Sequence, residues 1–119
     1  MKIIACITLA LALGSSAGLA QEEKTVLLIG HKPDHPPRCH EYLSTCEMLA
    51  KCLRQTKGVE AIVSNGWPTD AKLLERTDSI VLYTSPGAEI VLAEKSAAAF
   101  ETMMKRGVGL VAIHWATGV

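Results

Sequence analysis

The sequence predicts a three-layer α/β domain, in which helices cover both faces of a parallel sheet. Short apolar runs alternate along the chain with segments of helical periodicity, and this alternation is typical of parallel sheets. The runs are apolar at consecutive positions, as in strands that are buried on both faces. The chain has 119 residues, 49% of them apolar, which suits one such domain. The four predicted strands are Thr25–Gly30, Val59–Ser64, Ser79–Tyr83 and Gly109–His114.

The first predicted helix follows the first strand and spans residues 39–56. Its apolar side chains recur at the spacing of one helix face, and Gly58 marks its end. Charged residues fall largely elsewhere, so we expect the helix to pack one side against the sheet. The apolar positions are Tyr42, Cys46, Leu49 and Leu53.

A turn and two further helices are predicted between the later strands. Asn65-Gly66-Trp67-Pro68 forms a turn, because Asn and Gly tolerate positive φ and Pro cannot continue a strand. Thr69 or Asp70 then caps a short helix that runs through Leu74. The remaining predicted elements are a loop at Ser85–Gly87 and a helix at Ala93–Arg106.

The N-terminus has the form of a secretory signal. A positive start at Met1-Lys2 precedes the apolar run Ile3–Leu13 and the small-residue stretch Ser15–Ala20. We expect residues 1–20 to be cleaved off and the protein to be periplasmic or secreted; an uncleaved anchor is the alternative. Cys6 lies within this segment, so the mature chain keeps an odd number of cysteines. Because they cannot all pair, disulfides are not expected to organise the fold.

The charge balance argues against a nucleic-acid partner. The chain has 12 Lys and Arg residues against 12 Asp and Glu residues, whereas a nucleic-acid-binding domain of this size normally carries a basic excess. After the signal segment, no apolar run approaches the roughly 20 residues that span a bilayer. We therefore expect neither a nucleic-acid partner nor a membrane span in the mature chain.

Polar and aromatic side chains follow the carboxyl end of every predicted strand. Parallel strands end at a common edge of the sheet, and ligands bind beyond that edge. We therefore expect these side chains to line one rim. They are His31, the segments Asn65–Trp67 and Tyr83–Ser85, and the pair His114 and Trp115.

Three of the four histidines lie in one loop after the first strand. The segment Gly30–Tyr42 contains His31, His35 and His40, together with three prolines that stiffen it. Imidazole carries protons near neutral pH and binds metals, so the loop is a candidate for either role; solvated loop histidines are the alternative. The candidate metal ligands are Asp34, Cys39, these three histidines and His114, although their spacing matches no established zinc signature.

His114 lies between two small residues at the end of the fourth predicted strand. Ala112 and Ala116 stand two positions before and after it. A sharp strand-to-helix elbow requires this arrangement, because bulky side chains at those positions would collide. In hydrolases and amidotransferases a Ser or Cys occupies the apex of the elbow, which here would be His114. An ordinary strand end, with Trp115 covering the sheet, is the alternative.

Three motifs together resemble the ThuA-like, or trehalose-utilisation, domain family. They are GHKPDHPPRCHEY (Gly30–Tyr42), NGWPTD (Asn65–Asp70) and GVGLVAIHWATG (Gly107–Gly118). The resemblance implies a class I glutamine amidotransferase-like, flavodoxin-like fold. The amidotransferase relatives carry Cys where this chain has His114, so hydrolysis of glutamine through a thiolate is not expected. A full domain of this type has roughly 200 residues, and residues 24–119 are expected to form its N-terminal half.

The resemblance also implies a role in carbohydrate metabolism, because ThuA-like proteins are associated with the breakdown of disaccharides through 3-keto sugars. We expect His114 and His40 to form a proton-transfer pair that acts on such a sugar. A divalent metal at the histidines is a further hypothesis, and a non-catalytic carbohydrate-binding module is the alternative function. The predicted sugar-binding residues are His31, His35, Trp67 and Tyr83, of which Trp67 or Tyr83 would stack on the sugar ring.

Overall fold

Four parallel strands form the sheet at the centre of the fold. The computed structural model describes residues 22–85 and 87–118, and the predicted signal segment lies outside them. The strands are β1 (Lys24–Gly30), β2 (Val59–Asn65), β3 (Thr77–Leu82) and β4 (Gly109–Ala112). They lie in the order β2-β1-β3-β4, and every pair is parallel. The predicted α/β architecture with a parallel sheet is confirmed.

Each connection between consecutive strands contains a helix. The helix α1 (Tyr42–Leu53) links β1 to β2, and α2 (Ala71–Arg76) links β2 to β3. Two helices, α3 (Gly87–Val91) and α4 (Glu94–Lys105), link β3 to β4, and a 3-10 turn at His114–Thr117 follows β4. Crossovers of this kind are needed because each parallel strand must start again from the same end of the sheet. None of the helices in the described ranges is long and apolar enough to cross a bilayer.

The strand β1 is buried on both faces because it lies between β2 and β3. Its residue Leu28 is opposite Val63 of β2 and Val81 of β3. Leu27, Leu28 and Ile29 are all inaccessible to solvent. Consecutive burial requires consecutive apolar residues, which is the pattern that predicts this strand.

The helix α1 covers one face of the sheet. Cys46 and Ala50 of this helix pack against Leu28 and Ala61, and all four side chains are buried. Burial raises the pKa of the Cys46 thiol to about 11. A thiol in that state is protonated at neutral pH, so Cys46 is a core residue and not a nucleophile.

The other three helices cover the opposite face. Leu73 of α2, Val91 of α3 and Met103 of α4 belong to one buried cluster with Ile29 and Ile80 of the sheet. The side chains of β1 alternate between this cluster and the one beneath α1, as the pleat of a strand requires. The result is the predicted three-layer arrangement.

Asp70, one of the two predicted caps, is the N-cap of α2. The Asp70 carboxylate accepts hydrogen bonds from the backbone N–H groups of Lys72 and Leu73 at 2.9 and 3.3 Å. These N–H groups have no partner within the helix, so the cap satisfies them. The helix continues to Arg76, beyond the predicted end at Leu74.

Several predicted boundaries differ from the structure by a few residues, and one helix is not predicted at all. The helix α1 spans Tyr42–Leu53 and not residues 39–56, because the backbone of Glu41, with φ of −87° and ψ of 65°, is not helical and Arg54 is the C-cap. The strand β4 ends at Ala112, and His114 belongs to the 3-10 turn. The helix α3 lies in a stretch for which no helix is predicted; its five residues are too few for a periodic pattern.

The strand β4 forms an edge of the sheet that is exposed on both faces. Leu110 and Val111 lie on opposite faces and are 46% and 49% exposed. The neighbouring β3 is covered by contrast, since Ile80 and Leu82 are buried. The sheet is therefore least covered beside the turn that carries His114.

Candidate functional site

The loops after β1, β3 and β4 meet at one end of the sheet. The strand order reverses between β1 and β3, because β2 lies on one side of β1 and the later strands lie on the other. In open parallel sheets, ligands bind beyond the carboxyl ends of the strands at such a point. A group of polar side chains, which we call the histidine cluster, lies there. Its members are Asp34, His35, His40, Tyr42, Ser85 and His114.

The Asp34 carboxylate holds the cluster together. Its Oδ1 atom accepts hydrogen bonds from Nδ1 of His35 at 2.7 Å and from Nδ1 of His40 at 3.0 Å. Its Oδ2 atom accepts a hydrogen bond from the Tyr42 hydroxyl at 3.0 Å, and the side chain of Ser85 lies near enough to help lower the pKa of the carboxyl group. The loop after β1 and the start of α1 are thus joined at one residue, beside the loop after β3.

These contacts keep Asp34 ionised. Partial burial of the carboxyl group favours its neutral form, but the hydrogen bonds from His35, His40, Tyr42 and Ser85 outweigh this effect and hold its pKa well below the ordinary value. Hydrogen bonds to an ionised acceptor are among the stronger ones in proteins. Asp34 is therefore a fixed negative charge at neutral pH.

The ionised carboxylate determines which ring nitrogens carry hydrogen. A carboxylate accepts hydrogen bonds and donates none, so Nδ1 is the donor in both His35 and His40. The Tyr42 hydroxyl uses its one hydrogen to donate a hydrogen bond to Asp34. The hydroxyl oxygen can then accept a hydrogen bond from Nδ1 of His40, 3.1 Å away. In a neutral imidazole of this tautomer, Nε2 is the unprotonated nitrogen. Two basic Nε2 atoms are thereby left for a ligand.

His40 occupies the centre of the imidazole group. Its ring centroid lies 4.3 Å from that of His35 and 5.2 Å from that of His114, both in edge-on arrangements. The His40 side chain is 18% exposed and the His35 side chain is 49% exposed. The predicted proximity of His114 and His40 is thus present.

The backbone at His114 has the sharp turn that the neighbouring small residues predict. Its φ is 54°, in the left-handed region that side-chain-bearing residues rarely adopt. The turn is closed by a hydrogen bond from the Thr117 hydroxyl to the His114 carbonyl oxygen at 2.9 Å. Strained backbone of this kind concentrates at functional sites, where the rest of the structure holds it in place.

The loop between β1 and α1 contains the other non-glycine residue with positive φ in the described ranges, Arg38. Its backbone N–H donates to Oε1 of Glu41 at 3.0 Å. Glu41 stands at the N-terminal end of α1 but makes no side-chain cap bond to the helix. Its carboxylate instead fixes the preceding turn, next to His40.

Two of the predicted sugar-binding residues lie in other surroundings. Nδ1 of His31 is 3.0 Å from Oδ1 of Asn65, at the end of β2, and His31 takes part in none of the ring contacts among the described residues. Trp67 packs edge-on against Phe100 of α4, with ring centroids 6.2 Å apart. It lines a separate cleft of about 300 Å³ between α2 and α4, together with Leu74 and Lys95. Of the predicted aromatic residues, Tyr83 is the one beside the cluster, since its ring contacts that of Tyr42 at 4.9 Å.

Part of the cluster has the composition of a metal site. Asp34, His35 and His40 offer ligand atoms that all lie within 4.8 Å of one another. Imidazole nitrogen and carboxylate oxygen are common ligands of zinc and related ions. These three residues are therefore a candidate metal-binding group. Cys39, another candidate ligand, is exposed and lies outside this group.

Sequence reasoning missed the central position of Asp34 and the role of Tyr42. Asp34 stands in the proline-rich loop beside His35, where sequence alone marks it as one of several candidate metal ligands. Tyr42 lies on the apolar face of α1, and its ring is fully buried. The signal that could identify it is its hydroxyl group, because a buried tyrosine usually finds a hydrogen-bond partner.

Comparison with protein-family models, with curated proteins and with solved structures finds no match to this chain.

Proposed function

We propose that the protein acts on a sugar or keto-sugar by acid–base chemistry at the histidine cluster. The observation that carries the proposal is the pair of hydrogen bonds from His35 and His40 to one oxygen of Asp34. A carboxylate that holds the Nδ1 hydrogen of an imidazole leaves Nε2 free to act as a base. It also stabilises the imidazolium that forms when Nε2 takes a proton.

The substrate class rests on the sequence resemblance. Two of the motifs that resemble the ThuA-like family supply the cluster: Gly30–Tyr42 contains Asp34, His35 and His40, and Gly107–Gly118 contains His114. The association of that family with 3-keto sugars favours a keto-sugar over other small molecules. Tyr83, beside Tyr42, is the aromatic residue proposed to contact the sugar ring.

A keto-sugar suits a pair of imidazoles, because its carbonyl group acidifies the neighbouring C–H bond. In the proposed step, Nε2 of His40 takes the proton from the carbon between the carbonyl carbon and the anomeric carbon. The C–H electron pair forms a C=C bond as the glycosidic C–O bond breaks, and the leaving oxygen takes a proton from the His114 imidazolium. His40 ends the step protonated and His114 ends it neutral, so proton exchange with solvent restores the pair.

The test measures turnover and binding of a 3-keto disaccharide separately. We expect His40→Ala and His114→Ala each to lower kcat by about 100-fold or more, the range for loss of a general acid or base. Cys52→Ser, at an exposed position on the far part of α1, is the control and should retain kcat. Binding without turnover in the wild-type protein would replace the catalytic proposal with a carbohydrate-binding module.

A divalent metal ion is the second candidate role, favoured by the closeness of Asp34, His35 and His40. Since Asp34 already accepts hydrogen bonds from both imidazoles, we propose that Nε2 of each histidine is the ligand and that Asp34 orients the rings from behind. The test is metal analysis of protein purified without a histidine tag, followed by titration with Zn²⁺. Less than about 0.2 metal per chain, with no Zn²⁺ binding, would dismiss this role. His31→Ala is the control, because His31 is not a proposed ligand. An equal loss of Zn²⁺ affinity in His31→Ala and His40→Ala would contradict the proposed ligands.

A further inference from the structure

Gly87, the first residue of α3, lies against the backbone of the 3-10 turn that begins at His114. A Cβ atom on Gly87 would stand 2.3 Å from the carbonyl oxygen of Ala116 and 2.8 Å from its Cα atom. Those separations are far shorter than van der Waals contact, and backbone atoms cannot rotate out of the way as side chains do. No side chain therefore fits at position 87 while the turn keeps its place.

The backbone conformation of Gly87 does not itself require glycine. The described glycines with positive φ are Gly58, Gly66 and Gly107, and Gly87 is not among them. At the first position of a helix, alanine is intrinsically favoured over glycine. The contact with Ala116 is thus the physical reason for the missing side chain.

Ala116 connects this contact to His114. It is 7% exposed and belongs to the buried cluster that includes Val91 and Met103. Its N–H donates to the carbonyl oxygen of Ile113 at 3.1 Å, which closes the turn around His114. How closely Ala116 packs against Gly87 therefore determines the position of the His114 imidazole.

We propose that Gly87 is a positioning residue, which sets the distance between His114 and His40 by letting the 3-10 turn pack directly on α3. The same segment approaches the other half of the cluster, because Ser85, two residues earlier, lies near enough to Asp34 to affect the pKa of its carboxyl group. The catalytic consequence of this inference rests on the proposed function. The structural consequence, which is the distance between His114 and His40, does not rest on the proposed function.

The 3-10 turn is the part that is expected to move when a side chain is added at position 87. The strand β4 that leads into it is exposed on both faces, and Trp115 within it is 51% exposed. The helix α3 is held more firmly, since Val91 is buried and the Ser96 hydroxyl donates to the Ile90 carbonyl oxygen at 2.6 Å. A methyl group at Gly87 should accordingly displace His114 and leave Asp34, His35 and His40 in place.

The experiment compares Gly87→Ala with the wild-type protein by NMR and by kinetics. We expect the folded variant to lose the nuclear Overhauser effects between the His40 and His114 rings and to keep those between His35 and His40. With a 3-keto disaccharide as substrate, kcat should fall by roughly 10- to 100-fold while KM changes little, because misplacement of a reacting group by about 1 Å has effects of this size. Gly109→Ala is the matched control, since the shortest contact of its Cβ would be with the rotatable Ser79 hydroxyl at 3.2 Å, and the nearest backbone atom, the Asp78 carbonyl oxygen, would lie at an ordinary 3.8 Å.

Each outcome decides the inference. The inference would be overturned if folded Gly87→Ala kept the nuclear Overhauser effects between the His40 and His114 rings. It would also be overturned if Gly109→Ala lost them as well. Loss in Gly87→Ala alone, in a protein that never turns over substrate, would support the positioning role and count against the proposed reaction. If Gly87→Ala does not fold, the wild-type spectrum decides: effects between Gly87 Hα and Ala116 Hα, together with those between the two rings, support the inference, and the lack of either overturns it.

Discussion

The hydroxyl group of Tyr42 donates a hydrogen bond to Oδ2 of Asp34 across 3.0 Å. Tyr42 is fully buried at the start of α1, whereas Asp34 stands in the exposed loop after β1. Burial, together with the neighbouring carboxylate, raises the pKa of Tyr42. The hydroxyl therefore remains a donor at neutral pH, and a loop with little packing of its own is fastened to the core.

Replacement of this hydroxyl should loosen the loop without disturbing the core. In Tyr42→Phe, the ring keeps its packing while Asp34 loses one of its donors. We expect the free energy of unfolding to fall by about 1 kcal/mol, as for loss of one hydrogen bond, and the pKa of Asp34 to rise. Urea denaturation measures the first effect, and an NMR titration of the carboxyl carbon measures the second. Tyr83→Phe keeps the Tyr42–Asp34 bond and serves as the control; an unchanged Asp34 pKa in Tyr42→Phe would contradict the assignment.

The strained backbone at His114 predicts a difference between two substitutions. His114→Ala and His114→Gly both remove the imidazole, but only glycine adopts a φ of 54° without steric cost. We expect the glycine variant to be more stable than the alanine variant by about 1 kcal/mol, with a melting temperature roughly 5 °C higher. Thermal unfolding followed by circular dichroism compares the two. Equal melting temperatures would mean that the elbow stores no strain.

Acid should destabilise the fold through Asp78. Its carboxylate accepts a hydrogen bond from the backbone N–H of Thr25 at 2.8 Å and one from Lys24 at 3.1 Å, and these contacts lower its pKa below the ordinary 3.8. Because the folded-state pKa is the lower one, this contribution is complete about one pH unit above the ordinary 3.8 and is lost as the pH falls through that value and then through the folded one. Glu60, held by Arg76, also has a lowered pKa and acts in the same direction.

The unfolding free energy of the wild-type protein is thus expected to decrease below about pH 4.5, and that of Asp78→Asn to decrease less steeply. Denaturant titrations at several pH values between 2 and 6 measure the slopes. Glu101→Gln, which removes an exposed carboxylate paired with Lys105, is the control. Identical slopes in wild-type and Asp78→Asn proteins would show that the bond to Thr25 does not influence the titration.

The cap of α2 gives a test of local structure away from the histidines. Asp70→Ala removes the acceptor for the Lys72 and Leu73 N–H groups. A loss of about 1 kcal/mol in the free energy of unfolding is typical of a missing helix cap. Thr69→Ala, one position earlier, should cost much less, since Thr69 makes no cap bond to the helix. A larger loss in Thr69→Ala would reassign the cap.

The order and type of the main elements could be predicted from the sequence because each depends on local pattern. Consecutive apolar residues such as Leu27, Leu28 and Ile29 require burial on both faces. The helical spacing in α1 requires one buried side, and Gly107 ends α4 by local backbone preference. The short helix α3 could not be predicted from the sequence, because five residues held by tertiary contacts are too few to show a periodic pattern. That the imidazoles of His40 and His114 meet follows from parallel strands ending at one edge, which the strand patterns predict.

The sequence by itself therefore determined the layers, the parallel sheet and the rim that carries the histidines. Tertiary structure alone decided that His35 and His40 share Asp34, that Tyr42 fastens that carboxylate, and that His31 and Trp67 have other neighbours. The physical reason is the range of the interactions. Periodicity and turn preference act within a few residues, whereas a hydrogen bond depends on positions known to tenths of an ångström. Those positions are fixed only after α1, the sheet and the loop after β3 have packed together.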